Sequence, residues 1–275
     1  MSSKLYLVPT PIGNLQDFSP RAIATLKEAD VIACEDTRTS RPLLEHFDIH
    51  NHTVSYHNFN EEESSKGLLA LLDDGKTVAV ISDAGYPLIS DPGYSIVTKA
   101  IEKGHEVIAL PGPNAALTAL VASGLDTTHY LYYGFLSSKD SDARKQLEEL
   151  KEIPYTLIFY EAPHRLKKTL KTLAEVIKPD RKIALARELT KIHEEYIRGS
   201  ISEINEYFTE NAPRGEFVVL VSPNEEEEKQ LSWDELIKQV ADQVAAGESK
   251  KDAIKSVSKA NKVSKNELYD KYHQN

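Results

Sequence analysis

The chain has 275 residues, 40% of them apolar, a formal net charge of −10 and one cysteine, Cys34. That length predicts two or more compact units, and a single thiol excludes intramolecular disulfides and argues against a thiolate zinc site. No stretch approaches the ~18 to 20 uncharged apolar residues of a membrane span, and the opening "MSSKLYLVPTPIGN" has no signal-peptide layout, so a soluble cytoplasmic protein is expected. The acidic balance argues against a protein that coats nucleic acid, although local basic patches escape such an average.

Strand-like and helix-like runs alternate from the start. "KLYLVPT" (4–10) reads as a strand, and "SPRAIATLKEAD" (19–30) as a helix with Ser19 as N-cap and Pro20 at N1. "VIACED" (31–36) is a second strand, "RPLLEHF" (41–47) a short helix, "TVSYHN" (53–58) a strand, and "EEESSKGLLALLDDG" (61–75) a helix closed by Gly75. The strand "TVAVISD" (77–83) precedes the helix "DPGYSIVTKAIEKG" (91–104), with Asp91 as N-cap and Pro92 at N1. "EVIALPG" (106–112) then leads into the helix "PNAALTALVASG" (113–124). Strands this apolar, separated by helices, predict a mainly parallel sheet covered on both faces, with ligands beyond the carboxyl ends of its strands.

From Leu125 the ratio changes. Five strand candidates, "HYLYYGFL" (129–136), "YTLIFYEAP" (155–163), "KIALARELT" (182–190), "HEEYIRGSI" (193–201) and "GEFVVLVSP" (215–223), are served by helices at 141–152 and 164–178. Some neighbours must therefore run antiparallel, in a separate mixed sheet. The four glutamates Glu225 to Glu228 read as a solvated connector. Three short helices follow at 232–247, 249–260 and 264–274, with Ser232, Ser249 and Ser264 as N-caps. From Ser249 onward seven lysines face three acids, so this piece suits either phosphate contact or an ordinary solvated tail.

Four strands of the first sheet end in unusual turns, three of them rich in Pro and Gly: "VPTPIGNLQD" (8–17), "CEDTR" (34–38), "SDAGYPLISDPG" (82–93) and "LPGPN" (110–114). Such turns bring backbone amides and carbonyls against a ligand at little steric cost, and together they predict a cleft lined mainly by main chain with Asp36, Asp83 and Asp91 at its rim. The usual motifs are missing. There is no G-x-G fingerprint, no H-E-x-x-H and no G-x-S-x-G; "DDGKT" (73–77) lacks the first P-loop glycine and leads into a strand; and His46, His50, His52 and His57 straddle a helix-to-strand connection, where surface histidines outweigh a metal site. A pocket without nucleophile or metal suits a ligand that carries its own leaving group, such as an adenosyl sulfonium.

The segments at 8–38, 82–93, "LPGPNAALTALVASGL" (110–125), "FYEAPHRL" (159–166) and "ARELTKIHEEYIRG" (186–199) resemble, in this order, the rRNA-methylating members of the tetrapyrrole methylase superfamily. The resemblance implies a two-domain α/β tetrapyrrole-methylase-like fold with boundaries at 1–124 and 125–224 and a helical, helix-turn-helix-like appendage at 231–275. It implies a homodimer, S-adenosylmethionine as methyl donor, and as acceptor the ribose 2'-hydroxyl of a decoding-region cytidine of 16S rRNA, either free or in the 30S subunit. By motif position the cofactor should meet Ile12, Asp83, Gly85, Tyr86, Pro113, Asn114, Ala115, Tyr160 and Ala162. Candidates for the base that takes the hydroxyl proton are Glu161, His164 and Glu188; Lys191 is weaker because it would have to be neutral. Arg165, Arg187 and Lys191 are candidates for RNA phosphate, and the stretch 164–182 is locally basic. Asp83 could instead cap its turn, and Asp91 its helix. Two other readings stay open: a methylase acting on a tetrapyrrole or other small metabolite, and a non-catalytic ribosome-assembly factor.

Overall fold

The computed structural model describes residues 3–56, 61–91, 93–224, 231–261 and 263–274. Met1–Asn224 form one compact unit and Glu225–Asn275 a second. The first unit holds two five-stranded sheets.

The first sheet contains β1 (Lys4–Leu7), β2 (Val31–Cys34), β3 (His52–Ser55), β4 (Val78–Ile81) and β5 (Glu106–Ala109), all parallel in the order β3-β2-β4-β1-β5. Alternate side chains take opposite faces. Ile32, Cys34, Ala79 and Ile81 pack with Leu26 of α1 (Pro20–Glu28) and Leu44 of α2 (Thr37–His46). Leu5, Ala33, Val78 and Val80 pack with Leu72 of α3 (Glu61–Asp73) and Ile96 of α4 (Tyr94–Glu102) on the other face. Adjacent strands β1 and β4 thus send the chain to opposite faces, which opens a crevice at their carboxyl ends.

The second sheet is mixed, as expected: β6 (Tyr130–Phe135), β7 (Thr156–Glu161), β8 (Lys182–Arg187), β9 (Glu195–Ser200) and β10 (Phe217–Val221) lie in the order β6-β7-β10-β8-β9, and only β6 and β7 are parallel. One face is covered by α6 (Asp140–Leu150), α7 (Pro163–Val176) and α8 (Ile201–Glu210). Against the other lies α5 (Ala115–Ser123), whose Ala116, Ala119 and Leu120 pack on Ile158, Ala184 and Val218. Arg198 donates to the carbonyls of Ser123 and Ala122 at the end of α5, and the Tyr196 hydroxyl to that of Thr118. The helix that follows the last turn of the first sheet is therefore bolted to the second.

Three expectations are corrected. Helix α8 went unread, although Ser200 and Glu203 form a full capping box before an apolar Ile201-Ile204-Phe208 stripe. Helix α2 begins at Thr37 because the Asp36 carboxylate caps the Arg38 amide at 2.8 Å, and Pro42 lies inside it. Asp91 does not cap α4: the N-cap is Gly93, at φ +139°, after Leu88 and Ser90 have both taken left-handed conformations. Pro92 and Glu225 to Glu228 lie outside the described residues.

The second unit is a three-helix cluster, α9 (Trp233–Ala245), α10 (Lys250–Ala260) and α11 (Lys265–Gln274), closed around Leu236, Val240, Ile254, Val257 and Leu268. Ser232 and Ser249 cap the first two helices as expected, and the Glu267 amide of the third donates to Ser264. Among the described residues no helix is long and apolar enough to cross a membrane.

Candidate active site

The turns after β1, β4 and β5 are stitched to one another by hydrogen bonds. Thr10 and Gly85 exchange both backbone bonds, at 2.9 and 3.0 Å, and Thr10 Oγ1 donates to the Ser82 carbonyl. The Gly112 amide donates to the Tyr86 hydroxyl at 2.9 Å. Gly85 has φ +78°, open to glycine and strained for other residues, and a Cβ there would lie 3.4 Å from Ile12. These turns face the ends of β7 and β10 across a cavity of about 360 Å³. Its walls bring together Ile12, Gly85, Tyr86, Asn114, Ala115, Tyr160, Glu161 and Ala162 of the expected residues. Pro113 stands at the edge, its carbonyl 3.8 Å from where a Gly85 Cβ would be. Asn114 Oδ1 caps α5 at the Leu117 amide, which fixes the start of that helix against the cavity.

The rim carboxylates differ. Asp36 is drawn down to about 2 by its bonds from Arg38. Asp83 lies beside the cavity wall and not on it; burial pushes its carboxyl up, against a hydrogen bond from the Asp36 backbone that works to lower it, with the Asp36 charge a smaller upward contribution. Burial, with Glu35 and Asp83 beside it, pushes Asp91 up to about 6. Ser90, next in the same loop, bonds the Tyr132 hydroxyl at 2.7 Å, so this loop crosses from the first sheet to the second. Tyr132 in turn packs edge-on against Tyr160, whose hydroxyl is pushed up by burial and stays protonated.

The candidate bases and cations are dispersed. Glu161 is buried and its carboxylate is tethered by the Ala162 amide at 2.9 Å, by the Thr169 hydroxyl and by Arg165 Nε at 3.3 Å. Glu188 sits at φ +50° next to the wall residue Leu189; its Oε1 accepts from the Glu216 amide and from Lys191, which hold its pKa below the usual range. Its Oε2 accepts no hydrogen bond among the described residues. Burial acts to lower Lys191, but Glu216 and Glu188 outweigh it and the net shift is upward, so a neutral Lys191 is disfavoured. Arg187 is engaged by the Arg214 carbonyl and Glu195. His164 and Arg165 do not line this cavity; they line a second one behind the β7–α7 corner. Of the four histidines near α2, His50 bonds Asp48 and His46 packs on Phe47, while His57 lies outside the described residues.

Residues 4–205 match the family of Tetrapyrrole (Corrin/Porphyrin) Methylases. The chain belongs to the tetrapyrrole methylase family. This methylase is 48% identical to the Ribosomal RNA small subunit methyltransferase I of Bacillus subtilis strain 168, over 98% of this chain and 94% of that one. It is 46% identical to the protein of the same name from Streptococcus pyogenes serotype M18, over 99% and 95%. Among solved structures it is similar to a uroporphyrin-III-C-methyltransferase from Thermus thermophilus (TM-score 0.55, 21% identity, 80% of this chain and 94% of that). It is also similar to a diphthine synthase (0.61, 14%, 80% and 90%). These two likenesses speak to the fold alone.

The methylase cleft fits an adenosyl donor by its own geometry. Its volume lies in the range of small-molecule sites, its lining is mostly apolar with Asn114, Glu161 and Glu216 among its polar members, and an orphaned polar atom, Thr190 Oγ1, lies buried without a hydrogen-bond partner beside Gly13 and Leu189. Reasoning from the turns alone missed Ile89 within the turn after β4 and the opposite wall: Phe135, Ala186, Leu189, Glu216, Phe217 and Val218. The half-exposed Phe135, at the end of an otherwise amphipathic strand, was the legible signal.

Proposed function

We propose that this methylase transfers the methyl group of S-adenosylmethionine to the ribose 2'-hydroxyl of a cytidine in the decoding region of 16S rRNA, in the cytoplasm and on the 30S subunit. The observation that carries the proposal is the cleft at the carboxyl ends of β1 and β4, in a chain nearly half identical, end to end, to proteins named rRNA methyltransferases. When bound, the cofactor supplies an electrophilic methyl on a sulfonium whose thioether departs. The protein's task is to align donor and acceptor and keep water out. Main chain at Ala84 to Tyr86 and at Asn114 and Ala115 would hold the adenosyl group, with Ile12, Tyr160 and Ala162 packed against it and Asp83 and Pro113 at the margin.

The acceptor's proton needs a home. Glu161 is committed to its three donors, so it positions the β7–α7 corner. Glu188 keeps one unengaged carboxylate oxygen beside the wall and is ionised at neutral pH. We assign it the role of proton acceptor. Phe135, 50% exposed at the mouth, offers a face on which a base can stack. Exposed Tyr94, Ile101 and Val121, on α4 and α5, offer the apolar surface for a second copy of the chain.

The test is incubation of the purified chain with labelled S-adenosylmethionine and 30S subunits lacking the modification. Label on the ribose of one cytidine is the expected result. Label only on an added tetrapyrrole, or cofactor binding without any transfer, refutes the proposal.

A further inference from the structure

Behind the β7–α7 corner lies a second cavity, of about 280 Å³, between the turn that leads from β6 into α6 and the first turns of α7. It shares both walls with the cofactor cleft. Phe135 lines the cleft and the next residue, Leu136, lines the second cavity; Pro163 lines the cleft and His164 the second cavity. The two hollows are thus bordered by successive residues at two places in the chain, Phe135–Leu136 and Pro163–His164.

The chemistry of this hollow is that of a cation-lined seat. Arg165 is fixed as its floor, with Nη2 donating to the carbonyls of Leu136 at 2.7 Å and Ser137 at 3.3 Å. Lys168 has no tight ion pair. Its ammonium lies 3.4 Å from the Ser138 carbonyl and 4.0 Å from Asp140, and the Asp140 carboxylate is already bonded by Arg144 at 2.8 Å. His164 is exposed, makes no hydrogen bond among the described residues, and stands one helical turn before Lys168 on the same face of α7. The Ser138 hydroxyl completes the lining. The lining carries one carboxylate, Asp140, bonded by Arg144, while the adjoining Glu161 carboxylate is held by Thr169 and by the Nε of Arg165, which leaves Lys168 and His164 as the donors without a tight partner among the described residues.

We propose that this second cavity seats a backbone phosphate of the RNA strand next to the ribose that receives the methyl group, bound by Lys168 and His164 over the fixed guanidinium of Arg165. The inference rests on the ribose-methylation reading and deepens it. It moves His164 from proton transfer to phosphate binding and makes Lys168, which no motif singled out, a substrate-binding residue.

The test is binding of a fluorescein-labelled single-stranded RNA of the decoding-region sequence, followed by anisotropy over a range of salt, in parallel with steady-state methylation of 30S subunits. Lys168→Ala should weaken RNA binding about three- to tenfold and lower the salt slope by about one. It should raise KM for 30S while the affinity for S-adenosylmethionine stays unchanged. Lys168→Arg should restore the slope, and His164→Ala should weaken binding without altering cofactor affinity. Lys171→Ala, at a lysine one turn further along α7 and outside the cavity, should leave the slope intact. Equal effects at Lys168 and Lys171, or none at Lys168, overturn the phosphate seat. A wild-type chain that binds RNA with the Lys168-dependent slope but methylates no ribose sinks the proposed reaction and leaves the seat standing.

Discussion

Asp91→Asn is the substitution whose effect follows most directly from the electrostatics of the cleft. Asp91 is partly buried between the loops after β2 and β4, with Glu35 and Asp83 as its charged neighbours and the Tyr132 and Tyr160 hydroxyls beyond. Its folded pKa is raised from 3.8 to about 6. The native chain therefore holds this proton where the unfolded chain has lost it, and stability falls as pH rises through roughly pH 4 to 6. A shift of that size corresponds to about 3 kcal/mol at 1.36 kcal/mol per unit, and screening at a partly exposed site reduces it to about 1–2 kcal/mol. Asparagine carries no charge at any pH, so the substitution should stabilise the chain by about that amount at pH 7 and by almost nothing at pH 4. Urea titrations of both proteins at pH 4, 5, 6 and 7 read this as a difference in midpoint that opens with pH at constant slope. Asp83 and the remaining carboxylates titrate in both proteins and cancel in that difference. A pH-independent difference, or a less stable variant at pH 7, would refute the placement of Asp91 in a desolvated acidic neighbourhood.

Three further outcomes are expected. Glu188→Gln should lower kcat by about 100-fold or more while calorimetric affinity for S-adenosylmethionine is kept, since the amide can still accept from the Glu216 backbone; a rate within a factor of three of wild type removes Glu188 from proton transfer. Gly13→Ala puts a Cβ 2.9 Å from Thr190 Oγ1 and 3.2 Å from the Leu189 carbonyl at φ +154°, and should cost about 1–3 kcal/mol in denaturation together with cofactor affinity, because the displaced segment borders the cleft. Deleting 231–275 removes a unit with its own core, so cofactor affinity should be unchanged and affinity for the RNA substrate should drop; equal loss of both shows the appendage to be part of the fold.

The parts of the site built from backbone were the parts that could be read in the chain. Pro and Gly at 9–13, 85–93 and 111–113 leave few conformations that a helix or hairpin could use, and these turns do converge on one hollow. What could not be read was which strand residues would face them. The facing wall depends on β10 lying between β7 and β8, an antiparallel insertion that brings Phe217 and Val218 to the cavity from more than fifty residues away in the chain. No local pattern carries that register. The left-handed path through Leu88 and Ser90 escaped for the same reason, since Ser90 bonds Tyr132 in another segment; the early start of α2 is a local matter, with Asp36 capping the Arg38 amide two residues on.

Glu161 shows where residue type alone leaves two roles open. A lone carboxylate in an apolar strand demands compensation, and a reacting proton and a set of structural donors satisfy that demand equally well. The distinguishing signal was present four and eight residues later. Arg165 and Thr169 fall at helical spacing after the corner, and both turn back to the carboxylate. A buried acid whose partners recur at i+4 and i+8 on the helix it introduces is an anchor, because those partners occupy its oxygens before any substrate can. The proposed base, Glu188, differs in keeping one carboxylate oxygen unengaged among the described residues; it stands next to the wall residue Leu189, on a loop whose left-handed residues hold it against Gly215.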